Sequence, residues 1–221
     1  MAHKSAFIAI VGSPNVGKST LINHIVGAKV AIVSVKPQTT RNKIVGVVTG
    51  DEFQMVFLDT PGVHEPKNKL GEYMVKTAMD SARDVEAVLF MVDSKYGLGE
   101  RDKGILERLV KGDVPIVGAV NKIDLVAKEA SMALVAQMKE QGLAHVYPIS
   151  AKTGEGVMAL MTVLKDYLVD GPRYYPDDEY TDQPERAIAA EMIREKALNR
   201  LREEVPHGVG VTIEKVHHRT D

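Results

Sequence analysis

The run from Phe7 to Thr20, FIAIVGSPNVGKST, constrains this chain more than any other stretch. Phe7, Ile8, Ile10 and Val11 read as a short buried strand; glycines and a proline break it, and Leu21 and Ile22 open an apolar helix after the lysine. Gly12-x4-Gly17-Lys18-Ser19 thus lies between a strand and a helix, the setting in which that spacing cradles phosphate. Gly12 and Gly17 let the backbone turn tightly and bring successive N–H groups onto a β-phosphate, adding to the positive end of the following helix. Lys18 reaches the β- and γ-phosphates as a point charge, and Ser19 is placed to put a hydroxyl on Mg2+. Asn15, Val16 and Thr20 complete the loop residues expected to touch a nucleotide. The bland alternative is a Gly-rich turn of an ordinary α/β domain, and the full match with Lys-Ser weighs against it.

The following segments alternate between strand and helix patterns. A first helix is expected over about Lys18 to Val26, and strands over Ile44 to Val48 and Phe53 to Leu58, joined as a hairpin by Thr49 to Glu52. Helices over Leu70 to Ala82, Glu100 to Val110 and Lys128 to Glu140 interleave with strands over Ala87 to Val92, Val114 to Val120 and Val146 to Ile149. A last helix carries Val157, Leu160, Met161, Leu164 and Leu168 on one face. This alternation predicts an α/β three-layer sandwich with a mostly parallel sheet covered on both faces. With 221 residues, 44% of them apolar, the chain can bury one core of about 170 residues. It has no cysteine, which removes disulfides and thiolate chemistry. No apolar run is long enough to span a bilayer, and the first residues run straight into the first strand, so a cytoplasmic location is expected. A net charge of −2 gives bulk electrostatics no vote for nucleic acid.

Four more features sharpen the phosphate loop into a guanine-nucleotide site. Asp59 ends a strand, where a carboxylate can organise a water on the magnesium, and Gly62 follows closely enough to offer its N–H to a γ-phosphate. Asn121-Lys122-x-Asp124 ends another strand. Asp124 can accept from the N1–H and 2-amino group of guanine, Asn121 can bond the ring edge and brace the phosphate loop, and the Lys122 stem can lie on the base. Adenine lacks the 2-amino donor, so Asp124 selects against ATP. Ser150-Ala151-Lys152 ends the final strand, where the Ala151 N–H would meet guanine O6 and Lys152 would pack near the base. Thr40, with Thr39 as rival, is expected to give a hydroxyl to Mg2+ and an N–H to the γ-phosphate from a loop that closes on GTP. Each motif alone could be a turn, but all follow strands in order and gather at one sheet edge, where α/β folds place ligands. The seven histidines include no HExxH, the His217-His218 pair reads as an exposed or interface feature, and no G-x-S-x-G is present.

Residues 170–183, rich in Pro, Asp and Tyr, read as a linker. Asp182 with Glu185 suggests a capping box that starts a helix, on which Ile193, Ala197 and Leu201 fall four apart. The alternating run Val209, Val211, Ile213 then suggests a strand, so the sequence reads as stopping inside a small second domain. This tail holds twelve acidic and eight basic residues, net −4, which gives no electrostatic case for RNA.

Taken together, GSPNVGKS, KPQTTRN, DTPGVH, NKID and SAK resemble the TrmE/Era group of translation-factor-like P-loop GTPases. YYPDDEYTDQ and AAEMIREKALNRLREEVPHGV narrow the resemblance to the Era family, over essentially the full length. The resemblance implies a P-loop GTPase domain at 5–169, a linker at 170–183, and the start of an α+β KH-type RNA-binding domain at 184–221. It also implies GTP hydrolysis with Lys18, Thr40, Asp59 and Gly62 at the reaction centre. Family partners would be the 16S rRNA and the 30S subunit, in small-subunit assembly, with loose peripheral membrane association. Two departures stand out. Val63 occupies the position where Ras-like relatives carry a water-orienting glutamine, so hydrolysis should be slow in isolation. No GxxG loop follows Asp182, so the KH-type part would be incomplete. Asn15 matches the position that helps hold K+ in potassium-stimulated relatives. The competing readings are a TrmE- or Der-like GTPase acting on tRNA or ribosomes, and a GTP-gated RNA-binding module with little hydrolysis.

Overall fold

The computed structural model describes residues 3–33, 44–62, 76–200 and 209–216. Among these, seven strands form one sheet: β1 (Lys4–Gly12), β2 (Ile44–Thr49), β3 (Phe53–Asp59), β4 (Ala87–Asp93), β5 (Ile116–Asn121), β6 (His145–Pro148) and β7 (Val169–Asp170). The order is β2-β3-β1-β4-β5-β6, with neighbours parallel except for the β2–β3 hairpin. β7 pairs antiparallel with Lys4 and Ser5, beside the part of β1 that precedes its pairing with β4 at Ile8. The helices are α1 (Lys18–Val26), α2 (residues 76–81), α3 (Glu100–Leu109), α4 (Lys128–Glu140), α5 (Val157–Leu164) and α6 (Glu185–Arg200).

Strand alternation divides the core in two. Ala9, Val11, Val88, Phe90 and Val120 face one way and pack with Ile105, Leu106, Leu134 and Met138 of α3 and α4. Ile8, Ile10, Phe57, Leu89 and Met91 face the other way, toward Leu21 and Ile22 of α1 and Leu160 and Leu164 of α5. Every residue of β4 is buried, as a central parallel strand covered on both faces demands. Phe57 and Phe90 are wholly enclosed, and truncating either to alanine would cost about 3–5 kcal/mol. Because β1, β3, β4, β5 and β6 all point the same way, their carboxyl ends share one edge, and the loops leaving it meet there.

Several expectations shift by a residue or two, and some change character. The helix expected to reach Leu168 ends at Leu164 and tightens into a 3-10 turn over Lys165–Tyr167 before β7, a strand too short to leave a periodic signal. The expected Asp182–Glu185 capping box does not form. Glu185 is the first residue of α6, and Pro184 O takes up the Ala187 and Ile188 N–H groups. The face of α6 marked by Ile193 and Ala197 is not the buried one: Ile193 is exposed, and Arg194, Glu195 and Leu198 are enclosed, while Leu201, the third residue of that expected face, lies outside the described residues. Val209, Val211 and Ile213 alternate with exposed residues, but 209–216 forms no strand, and no described strand pairs with it. The stretch read as linker lies along the sheet. Gln54, wholly buried in β3, accepts from the Tyr174 and Tyr175 N–H groups and donates to Tyr175 O and Thr49 Oγ1. Farther on, Val47 N–H donates to Tyr180 O at 2.8 Å.

Candidate active site

β1 ends at Gly12 and α1 begins at Lys18, so the residues between them form a turn at the carboxyl edge. Gly17 sits at φ 103°, a left-handed conformation, and a Cβ there would fall 2.2 Å from Asn121 Nδ2. Asn15 also takes positive φ, at 62°. Lys18 is buried and its Nζ donates to the carbonyls of Gly12 at 3.1 Å and Ser13 at 3.0 Å. Burial pushes its pKa down to about 8, with the charges of Asp59 and Asp102 pulling the other way.

Asp59, at the end of β3, accepts a hydrogen bond from Ser19 Oγ at 2.6 Å. It has no exposed surface, and burial raises its pKa to about 6, against the Lys18 charge and the Ser19 hydroxyl. Its other oxygen, Oδ1, is enclosed without a hydrogen-bond partner among the described residues. A buried acceptor left open beside a hydroxyl and a phosphate loop suits a hard cation. Mg2+ needs only one or two protein oxygens when waters and phosphates supply the rest. Thr60 plays a different part: its hydroxyl donates to Ile10 O and locks the turn to β1. Gly62 comes so close to the phosphate loop that a Cβ would lie 2.7 Å from Pro14 Cα.

The loops that follow β5 and β6 lock onto the loop between β1 and α1. Asn121 Nδ2 donates to Val16 O at 2.7 Å, and its Oδ1 accepts from Ala151 N–H at 2.9 Å, so one side chain ties three loops together. Lys122, at φ 67°, sends Nζ to Asn15 O and to Asp93 Oδ2, both at 2.6 Å. Ser150 Oγ donates to Asp124 Oδ1 at 2.7 Å and so orients that exposed carboxylate. These loops surround a cavity of about 970 Å3 lined by Ser13 to Thr20, Gly62, Asn121, Lys122, Asp124, Ala151 and Lys152. The expected residues on these loops are thus brought to one place. Thr39, Thr40 and Val63 lie outside the described residues.

Two acidic residues line the cavity and a third braces its wall without having been expected there. Asp93 ends β4 as Asn121 ends β5, and that strand-end position was the signal available. Asp102, buried on α3, accepts from Ser13 Oγ at 2.5 Å and from Gly99 N–H. Glu195 arrives from α6 and holds Lys29 and Val33. Nothing local in the sequence marks the last two.

Residues 7–122 match the family described as 50S ribosome-binding GTPase. The GTPase Era of Clostridioides difficile is 50% identical over 220 residues, 99% of this chain and 74% of that protein. The GTPase Era of Clostridium beijerinckii is 50% identical over 211 residues, 95% of this chain and 71% of its own length. Among solved structures, a crystal structure of Era in complex with MgGDPNP and nucleotides 1506–1542 of 16S ribosomal RNA matches with TM-score 0.88 and 40% identity, covering 93% of this chain and 70% of that one. An Aquifex aeolicus Era variant bound to GDP and AlF4− matches with TM-score 0.86 and 41% identity, covering 92% and 70%.

Proposed function

The chain belongs to the Era family of GTPases, and from that premise we propose that it hydrolyses Mg·GTP in the 970 Å3 cavity as a switch on small-subunit ribosomal RNA. The observation that carries the reaction is the Ser19–Asp59 pair beside Lys18, joined through Asn121 to the base-side loops. On binding, Lys18 exchanges the carbonyls of Gly12 and Ser13 for the β- and γ-phosphates. The amides of the loop and of α1's first turn receive the phosphate oxygens. Ser19 and Asp59, with Thr40, would hold Mg2+, which neutralises charge developing on the β- and γ-oxygens. Gly62 offers its N–H to the γ-phosphate as water attacks in line, leaving GDP and phosphate. Asp124, oriented by Ser150, reads the guanine donors, and the Ala151 N–H is shared between Asn121 Oδ1 and guanine O6. Asn15, whose carbonyl is fixed by Lys122, is the proposed K+ contact.

The RNA target is supported by the Era complex with 16S ribosomal RNA, and α6 and the residues after it are proposed as the start of a KH-type module. Val63 favours a second emphasis, a switch whose unaided turnover is slow. Among the described residues no helix is long and apolar enough to cross a membrane, and the loose peripheral membrane association of the family is carried here as a proposal. The test is GTP turnover by the 221-residue chain with and without 30S subunits, together with co-sedimentation in GDP or a non-hydrolysable GTP analogue. Turnover abolished by Lys18→Ala and subunit binding confined to the analogue would support the proposal. No turnover under any condition would overturn the enzymatic reading, and nucleotide-independent or absent subunit binding would overturn the switch.

A further inference from the structure

Between α1 and the hairpin, residues 29–33 run as a strap without regular secondary structure along the mouth of the cavity, which Ile32 and Val33 line. The strap is held from two sides. Asn23, on the helix that carries Lys18 and Ser19, accepts the Val30 and Ala31 N–H groups on Oδ1 and donates Nδ2 to Ala31 O at 2.7 Å. Glu195, on α6, accepts the Val33 N–H on Oε2 at 2.9 Å and Lys29 Nζ on Oε1 at 2.6 Å. Glu195 is only 5% exposed, and Asn199, one turn farther along α6, itself lines the cavity.

A buried carboxylate needs compensation for lost hydration. Burial pushes the Glu195 carboxyl up, but the Lys29 hydrogen bond, the Val33 N–H and the charges of Lys29 and Lys196 carry it below its ordinary value. The Glu195 bonds span 162 and 166 residues of sequence and join an element outside the sheet to a wall of the nucleotide cavity. A general stabilising ion pair would need only Lys29. The second oxygen instead fixes the backbone of a cavity-lining residue.

We propose that Glu195 is a positioning residue of the nucleotide site: through the Val33 N–H it holds the Ile32–Val33 wall against the bound nucleotide, so that α6 slows nucleotide release. The contact adds no group to the chemical step, so its effect falls on nucleotide dissociation. It rests on the reading of the cavity as a guanine-nucleotide site.

Dissociation of fluorescently labelled GDP from the full 221-residue chain, chased with excess GDP, tests this. Glu195→Ala should speed release about tenfold, the fold-change expected for losing a hydrogen bond to a charged acceptor. Glu195→Gln keeps an acceptor for Val33 and should restore release to within about twofold of the parent, while both variants lose the Lys29 pair. Lys29→Met separates the roles: it should lower the melting temperature and leave release within about twofold. Helicity by circular dichroism controls for loss of α6. Release unchanged in Glu195→Ala, or equally fast in Glu195→Gln and Glu195→Ala, would overturn the proposal. Failure of the parent chain to bind GDP at all would instead count against the nucleotide reading itself.

Discussion

The proposed nucleotide chemistry makes its sharpest demands on single side chains. With Asp124 in its proposed role of accepting the guanine donors, Asp124→Asn should exchange preference from guanosine to xanthosine nucleotides; competition of GDP and XDP for the labelled site checks this, and unchanged GDP preference would refute the role. The two buried charges set a pH window. Asp59 titrates near 6 when folded against 3.8 ordinarily, so the nucleotide-free fold binds the extra proton and loses stability as pH rises from about 4 to 6. Lys18 titrates near 8 against 10.5, so the unfolded chain binds more protons between those values and stability rises again there. Both groups are charged between about 6 and 8, the pH range in which Mg2+-dependent GDP binding should be tightest. Calorimetric titration across pH should show affinity falling on both sides, and Asp59→Asn should remove the acid limb. Residues in contiguous motifs were legible because the chemistry needs fixed spacing: Gly12 to Ser19 lie on one turn, and Asn121 and Asp124 on another. Asp102 and Glu195 were not, because their partners Ser13 and Val33 stand far off in sequence and only tertiary packing brings them together.

Among the elements, the buried parallel strands were the easiest to read. β4 is apolar until its final aspartate because both its faces are covered, and α4 spans the expected Lys128–Glu140. β7 escaped notice because two residues carry no periodicity, and the α6 face was misassigned because its enclosed residues include an arginine and a glutamate that read as solvent-facing. Gln54 is the polar exception inside β3, and its amide serves the backbone at Tyr174 and Tyr175. Gln54→Ala should therefore destabilise the chain by about 1–3 kcal/mol, since the buried amide's hydrogen bonds to Thr49, Tyr174 and Tyr175 are lost together. Urea unfolding gives the magnitude. Limited proteolysis should then cut between 171 and 184 faster than in the parent, and an unchanged pattern would show that the tyrosines are held by other means.

At the scale of the whole molecule, the shared strand edge gathers the loops that carry Asn15, Lys18, Ser19, Asn121, Asp124 and Ala151 around one cavity. If Asn15 holds a monovalent cation, turnover should be several-fold faster in potassium than in sodium at matched ionic strength, and Asn15→Ala should abolish the difference. Equal rates would dismiss the cation. Chelating Mg2+ should reduce turnover to background while leaving weak GDP binding through Lys18 and the loop amides. The strap of residues from β7 to Tyr180 has a consequence for α6. With the backbone pinned by Gln54 and again at Val47, only Thr181, Asp182, Gln183 and Pro184 separate the last sheet contact from the helix. So short a tether makes α6 its own high local concentration of ligand for the 29–33 strap. A contact too weak to form between separate molecules is then occupied most of the time, and lengthening the tether between Tyr180 and Glu185 should weaken the grip of Glu195 without touching either partner.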